Sequence, residues 1–186
     1  MKTFPIILPC HFGLEAVLKR EVYDLGYDID KVEDGRVTVI GDADAVCRLN
    51  VFLRSAERVM IGVGRFKAYN FDDLFEGIKA LNWEDFIPKS GRFWVTKASS
   101  VRSGLFSAPD IQRIVKKAIV ERMKERYHLE RFPEDGADYP LRVFLLDNEV
   151  HVCLDTTGES LHKRGYRRSN VTAPIAENLA AALLML

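Results

Sequence analysis

The order of strands and helices in its first 65 residues is the feature that most constrains the fold of this chain. Phe4–Leu8 has the apolar character of a strand, and Gly26 is placed to end the helix that follows it. The apolar residues of that helix recur at helical spacing: Leu14, Val17, Leu18, Val22 and Leu25. Next, the stretch "YDIDKVEDGRVTVIG" has two extended arms around Asp34-Gly35, a dipeptide typical of tight hairpin turns. The sequence therefore predicts a strand, a helix and a β-hairpin in succession.

A second helix and a fourth strand complete this region. Asp42 can cap the helix, and "RVMIGVGRF" has the pattern of a strand. One face of the helix is apolar and consists of Val46, Leu49, Phe52, Leu53 and Ala56. The order over residues 1–65 is thus β-α-β-β-α-β, which is the ferredoxin-like order.

Residues 66–160 predict a second domain with the order α-α-β-α-β-β. Asn70–Leu81 forms a helix capped by Asn70, and "NWEDFIP" forms a short helical turn that Pro88 ends. "RFWVTKA" is a strand, and "LRVFLLDNEVHVCLDT" is a hairpin. The helix between them begins near Pro109 and has an apolar stripe of Ile111, Ile114, Val115, Ala118, Ile119 and Met123. The fold class is therefore α+β.

Two basic segments stand out in a chain that has 27 basic and 27 acidic residues. Because the net charge is zero, any nucleic-acid site must be local. Lys97 and Arg102 precede the N-terminus of the long helix, which Ser107 can cap and where backbone N–H groups favour phosphate. The off-stripe cations of that helix extend this first candidate: Arg113, Lys116 and Lys117. The alternative is an ordinary capped helix with a solvated basic face.

The second basic segment, "LHKRGYRRS", is denser and contains no acid. Its arginines suit bidentate contacts with phosphate, and its tyrosine can stack on a base. The candidate RNA-binding residues here are Lys163, Arg164, Tyr166, Arg167 and Arg168. The alternative is a solvated linker. Together, the two segments favour nucleic-acid binding.

Other kinds of site find little support in the residue pattern. "GVGRFK" lacks the third glycine, the following helix and the acid of a dinucleotide site. The histidines show no metal-ligand spacing, and adjacent Cys10 and His11 point apart on a strand end. Three cysteines outside any CxxC favour reduced thiols and a cytoplasmic protein, and no stretch is long and apolar enough for a bilayer.

Several stretches resemble one known family. They include "CHFGLEAVLKREVYDLGY", "SGLFSAPDIQRIVKKAIVERMK" and, most specifically, "TGESLHKRGYR" followed by "APIAENLAAALL". These stretches are similar to the N-terminal half of bacterial THUMP-domain RNA methyltransferases. The group they resemble is related to large-subunit ribosomal RNA guanine-N2 methyltransferases and is often labelled as N6-adenine-specific DNA methylases.

The resemblance implies a ferredoxin-like domain over residues 1–65 and a THUMP RNA-binding domain over residues 66–160. Residues 161–186 would be a basic linker and a first helix leading to a C-terminal domain that binds S-adenosylmethionine. Neither the Gly-rich loop of type DPxCGSGT nor an Asn-Pro-Pro-Tyr motif of such a domain occurs in this sequence. We therefore expect a non-catalytic fragment that needs no cofactor itself and binds structured RNA, with ribosomal RNA the favoured partner. The rival hypothesis is a protein-interaction module without direct RNA binding.

Overall fold

A computed structural model describes residues 2–166 and 174–186 of the chain. It contains two compact units, Met1–Ile61 with Asp155–Leu186, and Gly62–Leu154. The sequence places its domain boundaries after residues 65 and 160 instead. The difference arises because Met60–Lys67 and Glu149–Asp155, each a single strand, contribute residues to both units.

The first unit has the ferredoxin-like arrangement that its element order predicts. It contains β1 (Phe4–Pro9), α1 (Glu15–Asp24), β2 (Ile29–Glu33), β3 (Arg36–Gly41), α2 (Ala43–Phe52) and the first residues of β4 (Met60–Lys67). Strand β1 pairs antiparallel with both β3 and β4, and β3 pairs antiparallel with β2. The strand order is therefore β2-β3-β1-β4.

Sheet and helices of this unit share one apolar core. Ile6 and Leu8 of β1 and Val39 of β3 are fully buried together with Leu18 of α1 and Leu49 of α2. Removing each such side chain from water contributes about 1.5–3 kcal/mol. The apolar spacing in the sequence therefore identifies the core-facing side of both helices.

Two helix ends in the first unit form as the sequence predicts. Gly26 has a φ of +85° after α1, and the N–H groups of Gly26 and Tyr27 donate to the carbonyls of Tyr23 and Val22 at 2.9 and 3.2 Å. This pattern is a Schellman motif, which satisfies carbonyls that the helix leaves without partners. At the start of α2, the Asp42 carboxylate accepts a 3.0 Å hydrogen bond from the N–H of Ala45.

The second unit is a sheet with two helices. It contains α3 (Phe71–Lys79), a 3₁₀ turn (Trp83–Asp85), β5 (Arg92–Val101), α4 (Ala108–Tyr127), β6 (Asp138–Leu146) and β7 (Glu149–Asp155). With the rest of β4, the strand order is β4-β7-β6-β5. Strands β5 and β6 are parallel, so the chain must cross over between them, and α4 provides this crossover.

Four details of this unit refine the sequence prediction. The short helical turn predicted for "NWEDFIP" is of the 3₁₀ type, and β5 continues three residues past Ala98 to Val101. Ile114 is only partly buried, whereas Val115 beside it is fully buried. Ser107 stands at the N-cap position of α4, but its hydroxyl donates to the Asp110 carboxylate at 2.6 Å instead of accepting from a backbone N–H.

The "GVGRFK" segment is a strand, as predicted, and Gly64 within it has a packing role. A Cβ on Gly64 would lie 2.4 Å from Leu81 Cδ2. Similarly, a Cβ on Gly77 of α3 would lie 2.2 Å from the Phe66 ring. Both glycines therefore allow α3 and the residues after it to approach β4 closely.

The chain ends with α5 (Glu177–Met185), which belongs to the first unit. Ala182 of α5 packs with Leu14 and Val17 of the α1 region. The helical interpretation of the "APIAENLAAALL" stretch is confirmed from Glu177 onward.

Candidate nucleic-acid interface

The predicted RNA-binding residues do not form one cluster within a single unit. Lys97, Arg102, Arg113, Lys116 and Lys117 belong to the second unit, and Lys163, Arg164 and Tyr166 belong to the first. Arg167 and Arg168 lie outside the residues that the structure describes. The described cations also differ in whether their charged groups already form hydrogen bonds or ion pairs within the protein.

Arg164 is bound to the end of a helix. Its guanidinium donates to the carbonyls of Val51 and Leu53 at 2.6 Å, of Asn50 at 2.9 Å and of Leu161 at 3.1 Å. The first three carbonyls lie at the C-terminus of α2, where carbonyls lack helical partners and the helix dipole is negative. Arg164 therefore caps α2 and fixes the segment after Leu161 to the first unit.

The residues before Arg164 also form hydrogen bonds with other residues of the first unit. Asp155 accepts a 2.8 Å hydrogen bond from Arg58, and the Thr157 hydroxyl accepts one from the N–H of Val59 at 2.8 Å. The N–H of Leu161 donates to the carbonyl of Glu57 at 3.0 Å. We call residues 155–164 the anchored segment. The contacts of the anchored segment show that the basic segment, as far as Arg164, is held by the first unit and is not a solvated linker.

Lys116 is also occupied within the fold. Its ammonium donates to the carbonyl of Phe93 at 2.7 Å and to the Glu134 carboxylate, and it lies 4.8 Å from the centroid of the Phe93 ring. A lysine with these partners holds α4 against β5. Because its ammonium already has these partners, Lys116 is poorly placed to bind a phosphate as well.

Two arginines near the start of α4 form exposed ion pairs. Arg102 makes a fork with Asp147, with N–O distances of 2.8 and 2.9 Å, and its hydrogen bonds hold the pKa of the Asp147 carboxyl below its ordinary value. Arg113 contacts Asp110 at 2.8 Å. Because Asp110 also lies in the first turn of α4, a carboxylate already occupies the region where a phosphate was expected. Exposed pairs of this kind are weak enough for a ligand to displace.

The remaining candidates are the most accessible. Lys97 is exposed on β5 and makes no hydrogen bond or ion pair to another described residue. Lys117 is exposed on α4, 5.6 Å from the centroid of the Phe75 ring, and Lys163 is exposed in the anchored segment. Tyr166 is 74% exposed and lines a mostly apolar cavity of about 650 Å³ with Val51, Phe52 and residues of α5.

Sequence reasoning missed several residues with the right chemistry. Arg65 and Lys67 of β4, Trp94 of β5 and Arg142 of β6 are at least partly exposed. They are spread over three strands, so no dense basic run marks them. The signal available was the alternation of each strand, but alternation alone does not reveal which strands are neighbours.

Glu21 of α1 is a buried acidic residue that no pattern in the sequence singles out. It is buried, and its carboxylate accepts hydrogen bonds from the N–H and Nε of Arg54 at 3.0 and 3.1 Å and from the N–H of Ser55 at 2.8 Å, as well as from the Ser55 hydroxyl. A carboxylate satisfied by four donors fixes the turn after α2. It has a structural role.

Two other kinds of site can be examined in the structure, a cysteine nucleophile and a metal centre. Burial raises the pKa of the Cys10 thiol to about 12, helped by Glu15 and Glu57 nearby, so the thiol stays protonated at neutral pH. Among residues 2–166 and 174–186, no three His, Cys, Asp or Glu side chains meet in a way that could hold a metal ion. In the same part of the chain, no helix has the length and apolarity needed to cross a bilayer.

Comparison with known families identifies both units. The description of the RlmL ferredoxin-like domain matches residues 5–60, and that of the THUMP domain matches residues 68–155. The chain contains an RlmL ferredoxin-like domain and a THUMP domain. The resemblance found in the sequence is thereby confirmed, and the THUMP domain coincides with the second unit to within a few residues at either end.

Relatives of this THUMP-domain chain carry methyltransferase names. YpsC of Bacillus subtilis, provisionally named as an RNA methyltransferase, is 48% identical over all of this chain, which spans 48% of that protein. A ribosomal RNA large subunit methyltransferase K/L of Pseudomonas putida is 37% identical over 98% of the chain, which spans 25% of that protein. The chain thus spans half or less of these relatives.

A solved structure shows the same fold. SMU.472, provisionally named as a methyltransferase and crystallised in complex with SAH, superposes with a TM-score of 0.93 and 42% identity. The superposition covers all of this chain and 49% of that one. A structural relative of about twice the length therefore has a crystal structure with SAH bound.

Proposed function

We propose that this chain is the RNA-recognition half of an S-adenosylmethionine-dependent RNA methyltransferase. It binds structured RNA, with ribosomal RNA as the substrate and the N2 atom of a guanine as the methylated position, and it works in the cytoplasm. The THUMP domain over residues 68–155 is the observation that carries the proposal, because RNA methyltransferase names recur among relatives that share this domain. The methyl transfer itself falls to a C-terminal domain of the whole protein.

The accessible cations support RNA binding over catalysis by this chain. Lys97, Lys117 and Lys163 are exposed and can meet phosphate without losing a contact that the fold needs. In contrast, Cys10 is buried and stays protonated, so it offers no nucleophile. The chain also has no Gly-rich loop to cradle a nucleotide cofactor, so we expect calorimetry with S-adenosylmethionine to show no saturable heat.

RNA binding by the chain is tested by anisotropy of a fluorescent RNA hairpin as salt is varied. Binding that weakens as salt rises is expected, because phosphate contacts release counterions. A DNA hairpin of the same sequence and an unlabelled RNA competitor serve as controls. Retention that is weak and independent of salt would instead favour the protein-interaction hypothesis.

The target atom is tested with the full-length protein. Ribosomal RNA is incubated with labelled S-adenosylmethionine, digested to nucleosides and separated by mass spectrometry. We expect label in N2-methylguanosine. Label in N6-methyladenosine would overturn the guanine assignment and leave the role of the THUMP domain intact.

A further inference from the structure

A cavity in the first unit is formed by α2, the anchored segment and α5. Its volume is about 650 Å³, which falls within the roughly 300–1,000 Å³ usual for small-molecule sites. Val51 and Phe52, the last two residues of α2, line it together with Arg54, and α5 contributes residues from Glu177 to Leu184. The cavity therefore combines side chains that lie far apart in the sequence.

The elements around this cavity are fixed to one another by the fold. The Arg164 guanidinium binds the carbonyls of Val51 and Leu53 and so holds the anchored segment to the end of α2. Ala182 of α5 is fully buried and packs against the start of α1. Because its walls are held in place by the protein, the cavity is largely preformed, which reduces the cost of binding a ligand.

Asn178 in the first turn of α5 supplies a buried donor that has no acceptor. It is 2% exposed, and its Oδ1 accepts a 2.9 Å hydrogen bond from the N–H of Leu179, which leaves Nδ2 as the unpaired end. Within residues 2–166 and 174–186, Nδ2 is the one buried side-chain nitrogen or oxygen without a hydrogen-bond partner. Burying an unpaired donor costs free energy, so native structures rarely keep one without a reason. Since Asn178 lines the cavity, a ligand there can provide the acceptor.

Arg54 adds a cation that the fold uses only in part. Its backbone N–H and its Nε donate to the Glu21 carboxylate at 3.0 and 3.1 Å, whereas its two terminal nitrogens contact no carboxylate or carbonyl of the described residues. Such a pair of nitrogens can bind two oxygens of one phosphate. The lining contains two guanidiniums, of Arg54 and Arg164, and one carboxylate, of Glu177, so its net charge is positive.

Two aromatic side chains of the lining are largely exposed. Phe52 is 56% exposed and Tyr166 is 74% exposed. Exposed aromatic rings are surfaces on which nucleic-acid bases stack. A nucleotide has the three groups that this lining suits: a planar base, hydrogen-bond acceptors on its edge, and a phosphate. A purely apolar ligand would contact the rings but would leave the Asn178 amide without an acceptor.

We propose that this cavity binds one nucleotide, with its base against Phe52 and Tyr166, an acceptor of the base at Asn178 and its phosphate at Arg54. The inference rests on the proposed function, under which the nucleotide is an unpaired residue of the RNA substrate. A free nucleotide has the same chemistry and is the other source of the ligand. Phe52, Arg54 and Asn178 lie outside both basic segments of the sequence.

The test measures binding of oligouridine and of uridine monophosphate to the whole chain. Arg54→Gln should weaken binding of both about tenfold and reduce the log–log salt slope for oligouridine by about 0.7, because a phosphate contact is lost. The fold should persist, since Glu21 keeps the donors of Ser55. Lys31→Gln, an exposed cation of β2 outside the cavity, is the matched control and should change neither affinity. S-adenosylmethionine, which has no phosphate, is the control ligand.

Asn178→Leu removes the unpaired amide and keeps a side chain of similar size. It should weaken binding of both probes about fivefold without lowering the melting temperature, since the unpaired donor itself costs stability. In wild type, the side-chain amide signals of Asn178 should shift when uridine monophosphate is added, which tests the contact even if the variant is unstable. Tyr166→Ala should weaken binding about tenfold, whereas Tyr166→Phe keeps the ring and should retain most of the affinity.

The two probes distinguish the sources of the nucleotide. Variants that weaken binding of both identify a site that also takes free nucleotides, and variants that weaken only oligouridine identify RNA as the source. Unchanged affinities in folded Arg54→Gln and Asn178→Leu, with unshifted Asn178 signals, would overturn the inference. So would a lower melting temperature of these variants in the full-length protein without any change in nucleotide affinity, because the protein itself would then fill the cavity.

Failure of this inference can be told apart from failure of the proposed function. If wild type binds the RNA hairpin in a salt-dependent way while the cavity variants change nothing, the proposed function stands and the cavity site is wrong. If wild type binds no RNA but binds uridine monophosphate in a way that Arg54→Gln and Asn178→Leu weaken, the cavity site stands and the proposed function is wrong.

Discussion

Arg164 has a different role in the structure from the one its sequence context indicates. In the sequence it is one cation in a basic run, but in the fold its guanidinium binds three carbonyls at the end of α2. Those partners are far away along the chain, so no local pattern reveals them. A basic run can thus combine residues that hold the fold with residues that remain accessible, such as Lys163.

We expect Arg164→Ala to destabilise the end of α2 by about 1–3 kcal/mol, since it leaves several carbonyls without donors. Arg164→Lys should recover little, because one ammonium cannot reproduce the planar fork. Amide hydrogen exchange of α2 measures the effect. Lys163→Ala is the matched control and should leave exchange unchanged. Equal exchange in Arg164→Ala and wild type would show that the cap does not contribute.

Cys10 and Cys47 should differ in reactivity. Cys10 is buried and its pKa is raised to about 12, whereas Cys47 is exposed on α2. Iodoacetamide reacts with the thiolate, so we expect native protein at pH 8 to be labelled at Cys47 and not at Cys10. Peptide mass spectrometry after timed labelling measures this, with urea-unfolded protein as the control. Labelling of both residues at the same rate would contradict the buried position of Cys10.

At the scale of helices and strands, the sequence predicts those features that depend on contacts between residues close together in the chain. Asp42, Asn70 and Gly26 end or begin helices through contacts with residues a few positions away, and all three form as expected. The Asp34-Gly35 turn forms too, and a second two-residue turn, Asp147-Asn148, has positive φ at both positions. Such features follow from the conformational preferences of single residues.

The alignment of β5 with β6 could not be predicted in this way. Lys97 and Arg142 become neighbours only because α4 carries the chain across to a parallel strand and a bulge shifts the register. Both facts depend on tertiary structure, whereas hydrophobic alternation gives only the side of each strand. Long-range pairing therefore decides which side chains of the sheet are neighbours, whereas the basic residues of α4 follow one another in the sequence and are visible there.

The ion pair between Arg65 of β4 and Glu149 of β7 should make the stability of the protein depend on pH. The Arg65 guanidinium lowers the pKa of Glu149 from 4.5 to about 2, so the folded protein binds this proton less readily than the unfolded chain. The stabilisation is present above about pH 4.5 and is lost as the pH falls toward 2. We expect the difference in unfolding free energy between wild type and Glu149→Gln to shrink over that range.

Urea unfolding at several pH values between 6 and 2.5 gives this difference. An Arg65→Gln background supplies the control, because Glu149→Gln should have little pH-dependent effect without the guanidinium. The magnitude will be modest, since both side chains are partly exposed to solvent. A difference independent of pH would show that the ion pair does not survive in solution.

At the scale of the whole molecule, the two compact units should respond separately to a core substitution. Val115 is fully buried on α4, and an unpaired carboxylate there costs several kcal/mol. We expect Val115→Asp to collapse the amide signals of Gly62–Leu154 and to preserve those of the first unit. Ile114→Asp, one position along and only partly buried, should be milder. Loss of all signal dispersion in Val115→Asp would show that the units fold as one.

The route of the chain through its two units has a consequence for evolution. The second unit is entered through β4 and left through β7, and these strands are neighbours in the sheet, about 4.8 Å apart. Both of its ends therefore meet at one place, as in a guest domain inserted into a host. Hosts tolerate such insertions because the ends already lie close together. The ferredoxin-like host can thus exchange or lose its guest by recombination at Ile61 and Asp155, and a short glycine-containing turn at that junction would close the host again.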